Sequence, residues 1–570
     1  MSARPTPEAR RAVGTRLRER VRGVSGATTV LVIAGLWRST LGVDLSDEAH
    51  AVALAVRIAG GGVPFQDEMN TQALGALPAA PFTWLWLHTV GSTGVVVVNR
   101  LLFVAGTLAV GMASYRFLRG HLPPWAAWAA VATPLCAPAY NILVVSYNTV
   151  PLWSLVLGTS AGLAAIREKR AAPTITATLA LAAGVACYPP MVVAAAPMLA
   201  VVLLRARSRE VTRWVVVVGT AAAIGVGLVF LLVFTVPAVS DTLRYAGDFL
   251  GHRLPTAARW RNTTQLWTTE LLRPRHLPAT VLALALAALA ARRPPRHRLT
   301  AAVAVLTVVA AVAPAWVAAN DQGRPFGAAA TVAATYLVLA LLPATVVLAL
   351  RHQGVVRELA LVGLAGGPLV PVIVQTTSSG PAWGVLFLGL APLSLAVVAA
   401  WATLVELPRF QSLVAVPVVM VAAVLLLVVF RQPAPWLLTE RVTAGPFAGS
   451  LTTPAVAREL ATLDARIDTL VGSSRTLLIY WHPGAYLLSD ARPDTPLLWL
   501  INDGAANAEL VPWMEEHPHP DVVLVHRVAV DTAGSWARLV ATDPLVAWLD
   551  GQYQVTAPTD SPYWVLRPKP

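Results

Sequence analysis

The sequence is dominated by apolar runs that are long enough to cross a lipid bilayer. A membrane-spanning helix needs about 20 predominantly apolar residues, and such runs recur from residue 24 to residue 430. We therefore predict a membrane all-α bundle of about thirteen transmembrane helices. The predicted spans are 24–43, 95–118, 124–143, 147–166, 171–187, 189–204, 213–236, 277–291, 299–319, 327–350, 355–375, 382–404 and 412–430.

The charged residues agree with a membrane protein and give no sign of nucleic-acid binding. Only 13% of the residues are charged, against about a quarter in soluble globular proteins. The net charge of +13 comes from short arginine clusters between the apolar runs, so we expect no nucleic-acid partner. Both cysteines, Cys136 and Cys187, lie in apolar runs, which argues against a disulfide framework or a thiolate metal site.

The arginine clusters also predict the orientation, because cytoplasmic loops carry an excess of arginine and lysine. Residues 1–26 form a basic tail that we place in the cytoplasm, followed by a transmembrane domain over 27–431. The arginine clusters on the same side are at 116–121, 167–170, 205–213, 292–298, 351–357 and 406–410. The loop 44–94 and the segment 432–570 then lie outside the cytoplasm. The arginine-, alanine-, valine- and proline-rich composition is typical of a GC-rich bacterial genome, so we expect a multi-pass protein of a bacterial cell membrane.

The apolar stretch 78–91 belongs to the first outer loop in this assignment. It either lies on the outer surface or dips into the membrane.

The C-terminal segment 432–570 has a different pattern, which predicts a small extracytoplasmic α/β domain. We predict strands at 476–481, 521–527 and 563–568, and helices at 454–471 and 535–549. Alternating strands and helices are typical of α/β folds. About 139 residues suffice for a separate core.

The first outer loop is unusually acidic for a chain with 30 Asp and Glu residues. The stretch GVDLSDEAHAVALAVRIAGGGVPFQDEMN, residues 42–70, contains five of them. They are Asp44, Asp47, Glu48, Asp67 and Glu68. A concentration of this kind in a membrane protein needs a structural or a chemical reason.

Part of this stretch has the pattern of an amphipathic helix. Ser46 is a good N-cap residue, and Asp47 and Glu48 would lie in the first turn. Apolar residues follow at helical spacing, and glycines 60–62 would end the helix. We therefore expect a short helix along the outer membrane surface. One interpretation of Asp47 and Glu48 is that they only complement the helix dipole.

The wider context favours another interpretation. The stretch DEAHAVALAVRIAGGGVPFQDEMN resembles the first outer loop of the GT-C superfamily of membrane glycosyltransferases, which use polyprenyl-phosphate sugars. The similar branch includes the protein O-mannosyltransferases and the lipid A aminoarabinose transferase. AGPFAGSLTTPAVAREL (444–460) and LLIYWHPGAYLLSDARPDTP (477–496) resemble the outer domains of bacterial members.

The resemblance implies transfer of a sugar from a polyprenyl-phosphate donor to a glycan, lipid or protein acceptor of the cell envelope. The reaction would be inverting and would take place on the outer face of the membrane. Asp47 matches the catalytic aspartate of the family, and Glu48 would support it or bind a metal. No cofactor is certain, and a divalent metal ion, Mg²⁺ or Mn²⁺, stays open.

The sequence departs from the family at a second position. Related enzymes often carry another carboxylate at the outer end of a later span, whereas VVSYNTVPLW (144–153) has Asn148 there. An amide can bind an acceptor but cannot accept its proton, so the departure leaves more weight on Asp47 and weakens the case for a metal. The alternative for Asn148 is a helix N-cap.

The outer loop 237–276 contains the candidate residues for the donor phosphate. Guanidinium groups match phosphate oxygens well. We select Arg259 and Arg261, with Arg244 and Arg253 behind them. The alternative is contact with the headgroups of anionic membrane lipids.

Two other functions compete with an enzyme: a transporter or lipid flippase, and a non-enzymatic envelope assembly protein. Ion-coupled transporters place ionisable groups inside their spans and often show internal repeats. The predicted spans show neither feature, and Arg100 lies near the end of one. Because the carboxylates and arginines concentrate outside, we favour an interfacial enzyme.

Overall fold

Helices make up most of the N-terminal part of the protein. The computed structural model describes residues 25–136, 138, 142–252, 257–258, 260–261, 264–265, 342, 345–370, 373, 391–399, 432–433, 435–501, 504–556 and 561–570. The helices before the C-terminal domain are α1 (25–38), α2 (Asp47–Ala59), α3 (Ala80–Thr89), α4 (Val95–Leu118), α5 (Pro124–Leu135), α6 (Thr149–Glu168), α7 (Ala171–Cys187), α8 (Val192–Ala206), α9 (Arg209–Val229), α10 (Val236–His252) and α11 (Val355–Gly366).

Four helical segments in the described part are long and apolar enough to cross a membrane. They are Val95–Leu118, Thr149–Glu168, Pro189–Ala206 and Arg209–Phe234. The predicted spans 277–291, 299–319 and 412–430 lie outside the described residues. The apolar helices identify a membrane protein, whereas the number thirteen stays a prediction.

Helix α6 is the centre of the bundle. Nearly all its residues from Thr149 to Ile166 are buried, and it packs against α4, α7, α8 and α11. Small residues allow this close packing: a Cβ atom on Gly158 would lie 2.8 Å from the Leu181 side chain. By contrast, α9 exposes apolar side chains such as Val216 and Ile224, which suits contact with lipid.

Three predicted spans are shorter helices than expected. The span predicted at 355–375 is a continuous helix only to Gly366, where α11 ends. The span predicted at 24–43 is helical only to residue 38, since the chain then leaves the helix and Leu41 forms a β-bridge with Leu451. The span predicted at 124–143 ends at Leu135. Pro138 follows closely, and proline disfavours a helical conformation in the residue before it.

The contacts between helices separate the connecting segments into two ends of the bundle. At one end, Arg167 lies 3.6 Å from Glu358 and His121 lies 3.2 Å from Glu168. These contacts bring together arginine clusters predicted for the cytoplasmic side. At the other end, the Gln66 side chain donates to the Val233 carbonyl. The carboxylate loop and the C-terminal domain also meet there. The assignment of this second end to the outside stays a prediction.

The apolar stretch 78–91 contains only a short helix. This helix, α3, has ten residues, fewer than the about 20 that a helical membrane span needs. Its apolar side chains Phe82, Trp84 and Leu85 are about half exposed, while the buried Thr83 hydroxyl donates to Asn99 of α4. The helix thus lies at the end of the bundle with an apolar surface, as a membrane-interface segment would.

The C-terminal domain contains the predicted α/β arrangement. Strands β1 (Glu440–Arg441) and β2 (Leu451–Thr452) form a small hairpin. The described part of the larger sheet has the order β4-β3-β5-β7-β6. Its strands are β3 (Thr476–Tyr480), β4 (Arg492–Pro493), β5 (Val522–His526), β6 (Tyr553–Thr556) and β7 (Tyr563–Pro568). Strand β3 is parallel to β4 and β5, while β7 is antiparallel to β5 and β6.

The helices of this domain are α12 (Pro454–Val471), α13 (Val511–Glu516), α14 (Arg527–Ala533), α15 (Trp536–Thr542) and α16 (Pro544–Gln552). The helix predicted at 454–471 is confirmed. The single helix predicted at 535–549 is wrong, because α15 ends before Asp543 and α16 begins after it. The Asp543 side chain accepts hydrogen bonds from the N–H groups of Leu545 and Val546, and Pro544 is the first residue of the new helix.

The separation of the two ends predicts a labelling pattern in intact cells. We replace the buried Cys136 and Cys187 by alanine and introduce single cysteines at the exposed positions 92, 515 and 120. Ser92→Cys and Glu515→Cys should react with an impermeant maleimide from outside. Gly120→Cys, whose Cβ atom would meet nothing within 4 Å, should react only after permeabilisation. The reverse pattern would contradict the predicted orientation.

Candidate active site

Helix α2, which carries the first acidic pair, is buried. The sequence predicts this helix on the membrane surface, but all residues from Glu48 to Ala55 are buried. The helix lies against α3 and α4 on the bundle side and against residues 483–488 of the C-terminal domain. The Gly484 N–H donates to the Leu45 carbonyl at 2.9 Å, just before the helix. Alanines on several faces allow this enclosure, and the expectation of a surface helix is therefore wrong.

Asp44 holds the start of α2. One of its carboxylate oxygens accepts the backbone N–H of Glu48 at 2.8 Å, and the other accepts the Ser46 hydroxyl at 2.6 Å. Ser46 makes no side-chain capping bond, so the predicted cap role belongs to Asp44. Burial raises the pKa of the Asp44 carboxyl, and these hydrogen bonds oppose that rise.

Glu48 forms a buried ion pair with Arg100 of α4. Both carboxylate oxygens accept from the guanidinium, at 3.0 and 2.5 Å. Arg100 also donates to the carbonyls of Ser39 and Gly42, at 3.2 and 2.9 Å. Burial by itself would raise the pKa of Glu48, but Arg100 and the nearby Arg38 outweigh it and lower the pKa. Glu48 thus stays ionised and fixes α2 to the bundle.

Asp47 differs from this pair because its side chain is half-buried rather than enclosed. One carboxylate oxygen lies 3.4 Å from the Ser46 hydroxyl. The carboxylate lies in the first turn of α2, where the helix dipole favours negative charge. Its neighbours Asp44 and Glu48 are held by hydrogen bonds, so the backbone that carries Asp47 is fixed while the carboxylate keeps access to solvent. This arrangement suits a group that takes a proton from a substrate.

The second acidic pair connects the loop to the C-terminal domain. The Arg57 guanidinium donates to the Glu68 carboxylate at 2.8 Å and to the Thr495 carbonyl at 2.7 Å. The Leu498 N–H also donates to Glu68, at 3.1 Å. Burial raises the pKa of Glu68 to about 7, although Arg57 and this N–H favour the carboxylate. Asp67 accepts the Val63 N–H within the loop.

The other predicted residues have different surroundings. Asn148 is buried just before α6, and no hydrogen bond engages its amide group within the described part of the chain. The N-cap alternative is thus not observed, since Thr149 and Ser146 make the local hydrogen bonds instead. The Arg244 guanidinium pairs with Asp241 on its own helix. Arg261 is exposed, whereas Arg253 and Arg259 lie outside the described residues.

Sequence reasoning missed the arginines that hold the carboxylates. Arg38 and Arg100 are almost completely buried. Arg38 is the last residue of α1 and Arg100 lies near the start of α4. Both helix ends lie beside the carboxylate loop, where few arginines are expected. An arginine at the predicted outer end of a span is the sequence feature that could have identified these residues. Only the fold shows which carboxylate each arginine faces.

The site has no obvious metal centre. Within the described residues, no group of three or more His, Cys, Asp or Glu side chains could hold a metal ion. A cavity of about 460 Å³ lies elsewhere, between the segment 440–447 and α12. Its lining includes none of the predicted site residues, so it does not mark the acidic site.

Comparisons with known proteins leave the family open. No model of a known protein family matches the sequence, and no curated protein matches it. Among solved structures, the chain is similar to the crystal structure of ArnT from Cupriavidus metallidurans bound to undecaprenyl phosphate. The likeness covers 96% of this chain and 97% of that chain, with 13% sequence identity and a TM-score of 0.35. These values are too low to assign a family or a function.

Because Glu48 forms a buried ion pair, we predict that its replacement strongly lowers the stability of the protein. Glu48→Gln leaves the Arg100 charge buried without its counter-ion, which typically costs about 3–5 kcal/mol. We expect a markedly lower unfolding temperature in detergent. Glu459→Gln, on the exposed face of α12, is the matched control and should change little. Equal unfolding temperatures for the two variants would contradict a structural role for Glu48.

Glu68 predicts a pH dependence of stability. Its pKa of about 7 in the fold exceeds the ordinary value of 4.5, so the folded state binds more protons than the unfolded chain between these values. Stability from this group is therefore present below the lower value and is lost as the pH rises through the higher one. The unfolding temperature should fall more steeply from about pH 5 to about pH 8 in the wild type than in Glu68→Gln. Asp67→Asn should keep the wild-type profile, and parallel profiles for wild type and Glu68→Gln would refute the assignment.

Proposed function

We propose that this protein is an integral-membrane glycosyltransferase that moves a sugar from a polyprenyl-phosphate donor to an acceptor of the cell envelope. The observation that carries the proposal is the position of Asp47. Its half-buried carboxylate begins a buried helix, at the junction between the helical bundle and the C-terminal domain. A lipid-borne donor and a polar acceptor would meet at such a junction, and the sequence resemblance to the GT-C superfamily agrees with it.

In the proposed reaction, Asp47 acts as the general base. An acceptor hydroxyl attacks the anomeric carbon of the donor sugar while its proton passes to the Asp47 carboxylate. The bond between the anomeric carbon and the phosphate oxygen breaks, and polyprenyl phosphate leaves with the electron pair. Attack opposite the leaving group inverts the anomeric centre. Glu48 does not touch the substrate in this scheme, because Arg100 engages both its oxygens; it positions α2.

The leaving phosphate needs positive charge nearby. Arg261 is our described candidate because its side chain is exposed. Arg244 is a weaker one, since Asp241 already pairs with its guanidinium. Arg253 and Arg259 remain candidates from the sequence, and contact with lipid headgroups remains the alternative for all four. The amide of Asn148, which makes no side-chain capping bond to α6, is proposed to bind the acceptor. The proton transfer to Asp47 requires no metal ion, and the described residues offer no group of three or more His, Cys, Asp or Glu side chains that could hold one.

One observation favours a second candidate function, transport. Arg38, Arg100 and Glu48 form a buried charged cluster at the end of the bundle, and such groups often mark ion pathways. However, Arg100 is held by two backbone carbonyls as well as by Glu48. A cluster held in this way suits a fixed anchor better than a group that must release and rebind a proton.

The proposal predicts the effect of removing one charge. Asp47→Asn keeps the volume of the side chain and its hydrogen-bonding capacity, but the amide cannot accept the proton. We expect release of polyprenyl phosphate from a panel of polyprenyl-phosphate sugars to fall by roughly 100-fold or more. If Asp47 only favours the helix dipole, the same change should cost at most about 1 kcal/mol of stability and leave turnover intact.

Asp67→Asn is the matched control, because Asp67 is another half-buried carboxylate of the same loop. It should retain most of the activity. Glu68→Gln is a poorer control, since Glu68 connects the loop to the C-terminal domain. A folded Asp47→Asn protein with near-normal sugar transfer would overturn the proposal.

A further inference from the structure

Three polar aromatic side chains lie together at one edge of the C-terminal sheet. His482 follows β3 closely, His526 ends β5, and Tyr563 begins the antiparallel strand β7, directly opposite His526. This edge carries the carboxyl ends of the parallel strands β3 and β5. Ligands of open α/β sheets commonly bind at that edge.

The three side chains form a connected cluster. Nδ1 of His482 lies 2.5 Å from the Tyr563 hydroxyl, and the His482 and His526 rings are 4.8 Å apart, edge to face. The Val528 N–H donates to Nδ1 of His526. In the described structure, no hydrogen bond uses Nε2 of either histidine. Burial, followed by the proximity of His526, lowers the pKa of His482 to about 3, so its imidazole is neutral at physiological pH.

This edge faces the acidic site through two separate contacts. Gly484, two residues after His482, approaches Leu45 so closely that a Cβ atom would lie 2.5 Å from the Leu45 carbonyl oxygen. Because two residues span at most about 7 Å, the Cα atoms of Asp47 and His482 are within about 20 Å of each other. In the second contact, the Trp481 N–H donates to the Leu500 carbonyl, and the neighbouring Trp499 packs edge-on against His50, 5.1 Å between ring centroids.

Two unusual features occur at the second of these contacts. His50 lies three residues after Asp47, on the same side of α2. It is buried, and neither of its ring nitrogens has a hydrogen-bond partner among the described residues. Trp481 has a φ of 78°, in the left-handed region that a bulky residue rarely adopts. Unsatisfied buried groups and strained backbone concentrate at functional sites.

We propose that His482, His526 and Tyr563 form the subsite for a neutral, hydroxyl-rich acceptor, a carbohydrate, which is thereby presented to Asp47. The assignment rests on the proposed function, since it names the acceptor class of the same site. The Nε2 atoms of the two partly buried imidazoles can exchange hydrogen bonds with sugar hydroxyls. Tyr563 is completely buried and positions the His482 ring through its hydroxyl. The described residues supply no third ligand for a metal ion here.

The test is a binding titration that needs no donor. The full-length protein in detergent is titrated with neutral disaccharides of mannose, arabinose, glucose and galactose, and tryptophan fluorescence is followed. We expect saturable binding of at least one disaccharide. His482→Ala should weaken it about tenfold or more, which is about 1.4 kcal/mol. Tyr563→Phe keeps the buried ring and removes the hydroxyl that meets His482, so it should weaken binding as well. His519→Gln, at an exposed histidine of the same domain, should bind like the wild type.

Absence of saturable binding to the wild type would overturn the subsite, and so would unchanged affinity in both His482→Ala and Tyr563→Phe. If His482→Ala does not fold, Tyr563→Phe alone decides between the outcomes. Release of polyprenyl phosphate is measured separately. Saccharide binding without any donor cleavage would retain the subsite and reject the glycosyltransferase, whereas donor cleavage without saccharide binding would do the reverse.

Discussion

The buried pair of Glu48 and Arg100 is the interaction on which the arrangement of the acidic loop depends. Two charges removed from water are stable only if hydrogen bonds satisfy them well. Here the guanidinium contacts both oxygens of Glu48 and the carbonyls of Ser39 and Gly42. A single arginine on α4 thereby fixes the end of the first helical segment and the start of α2 together. Removal of either charge would leave the other without compensation in the protein interior.

The same principle explains why one loop contains so many carboxylates. Asp44 closes the start of α2, Glu48 anchors that helix to the bundle, and Glu68 connects the loop to the C-terminal domain through Arg57. Asp67 orders the turn at Val63. Each of these four carboxylates has a structural role. Asp47 lies in the first turn of α2 with a half-buried side chain, and it is the carboxylate to which the proposed function assigns the chemistry.

Rigidity around one accessible carboxylate has a catalytic consequence. A general base is effective when its position is fixed before the substrate arrives, because little reorganisation is then needed during the reaction. The C-terminal domain contributes to this fixation by enclosing α2 with residues 483–488. It also brings the edge with His482 and His526 to the same junction. In the proposed scheme the bundle therefore supplies the base and the small domain receives the acceptor.

The sequence alone determined what depends on local pattern. Apolar length predicted the helices over 95–118 and 171–187, and period and turn residues predicted α12 and the strands β3, β5 and β7. Two features show the limit of such patterns: the accessibility of Asp47, and the division of the single helix predicted at 535–549 into α15 and α16. The Asp-Pro pair at 543–544 is a local signal for the start of α16, whereas the accessibility of Asp47 depends on distant segments.

Only the tertiary structure decided which groups meet. Arg100 is 52 residues from Glu48, and Arg57 is 438 residues from the Thr495 carbonyl that it contacts. The periodicity of residues within one helix or strand cannot predict pairings over such distances in the sequence. They also reversed the expectation for α2: its apolar face suited a membrane surface, but the C-terminal domain covers the helix instead. The sequence of a helix shows which of its faces needs an apolar neighbour. Packing against distant segments of the chain determines which neighbour covers that face.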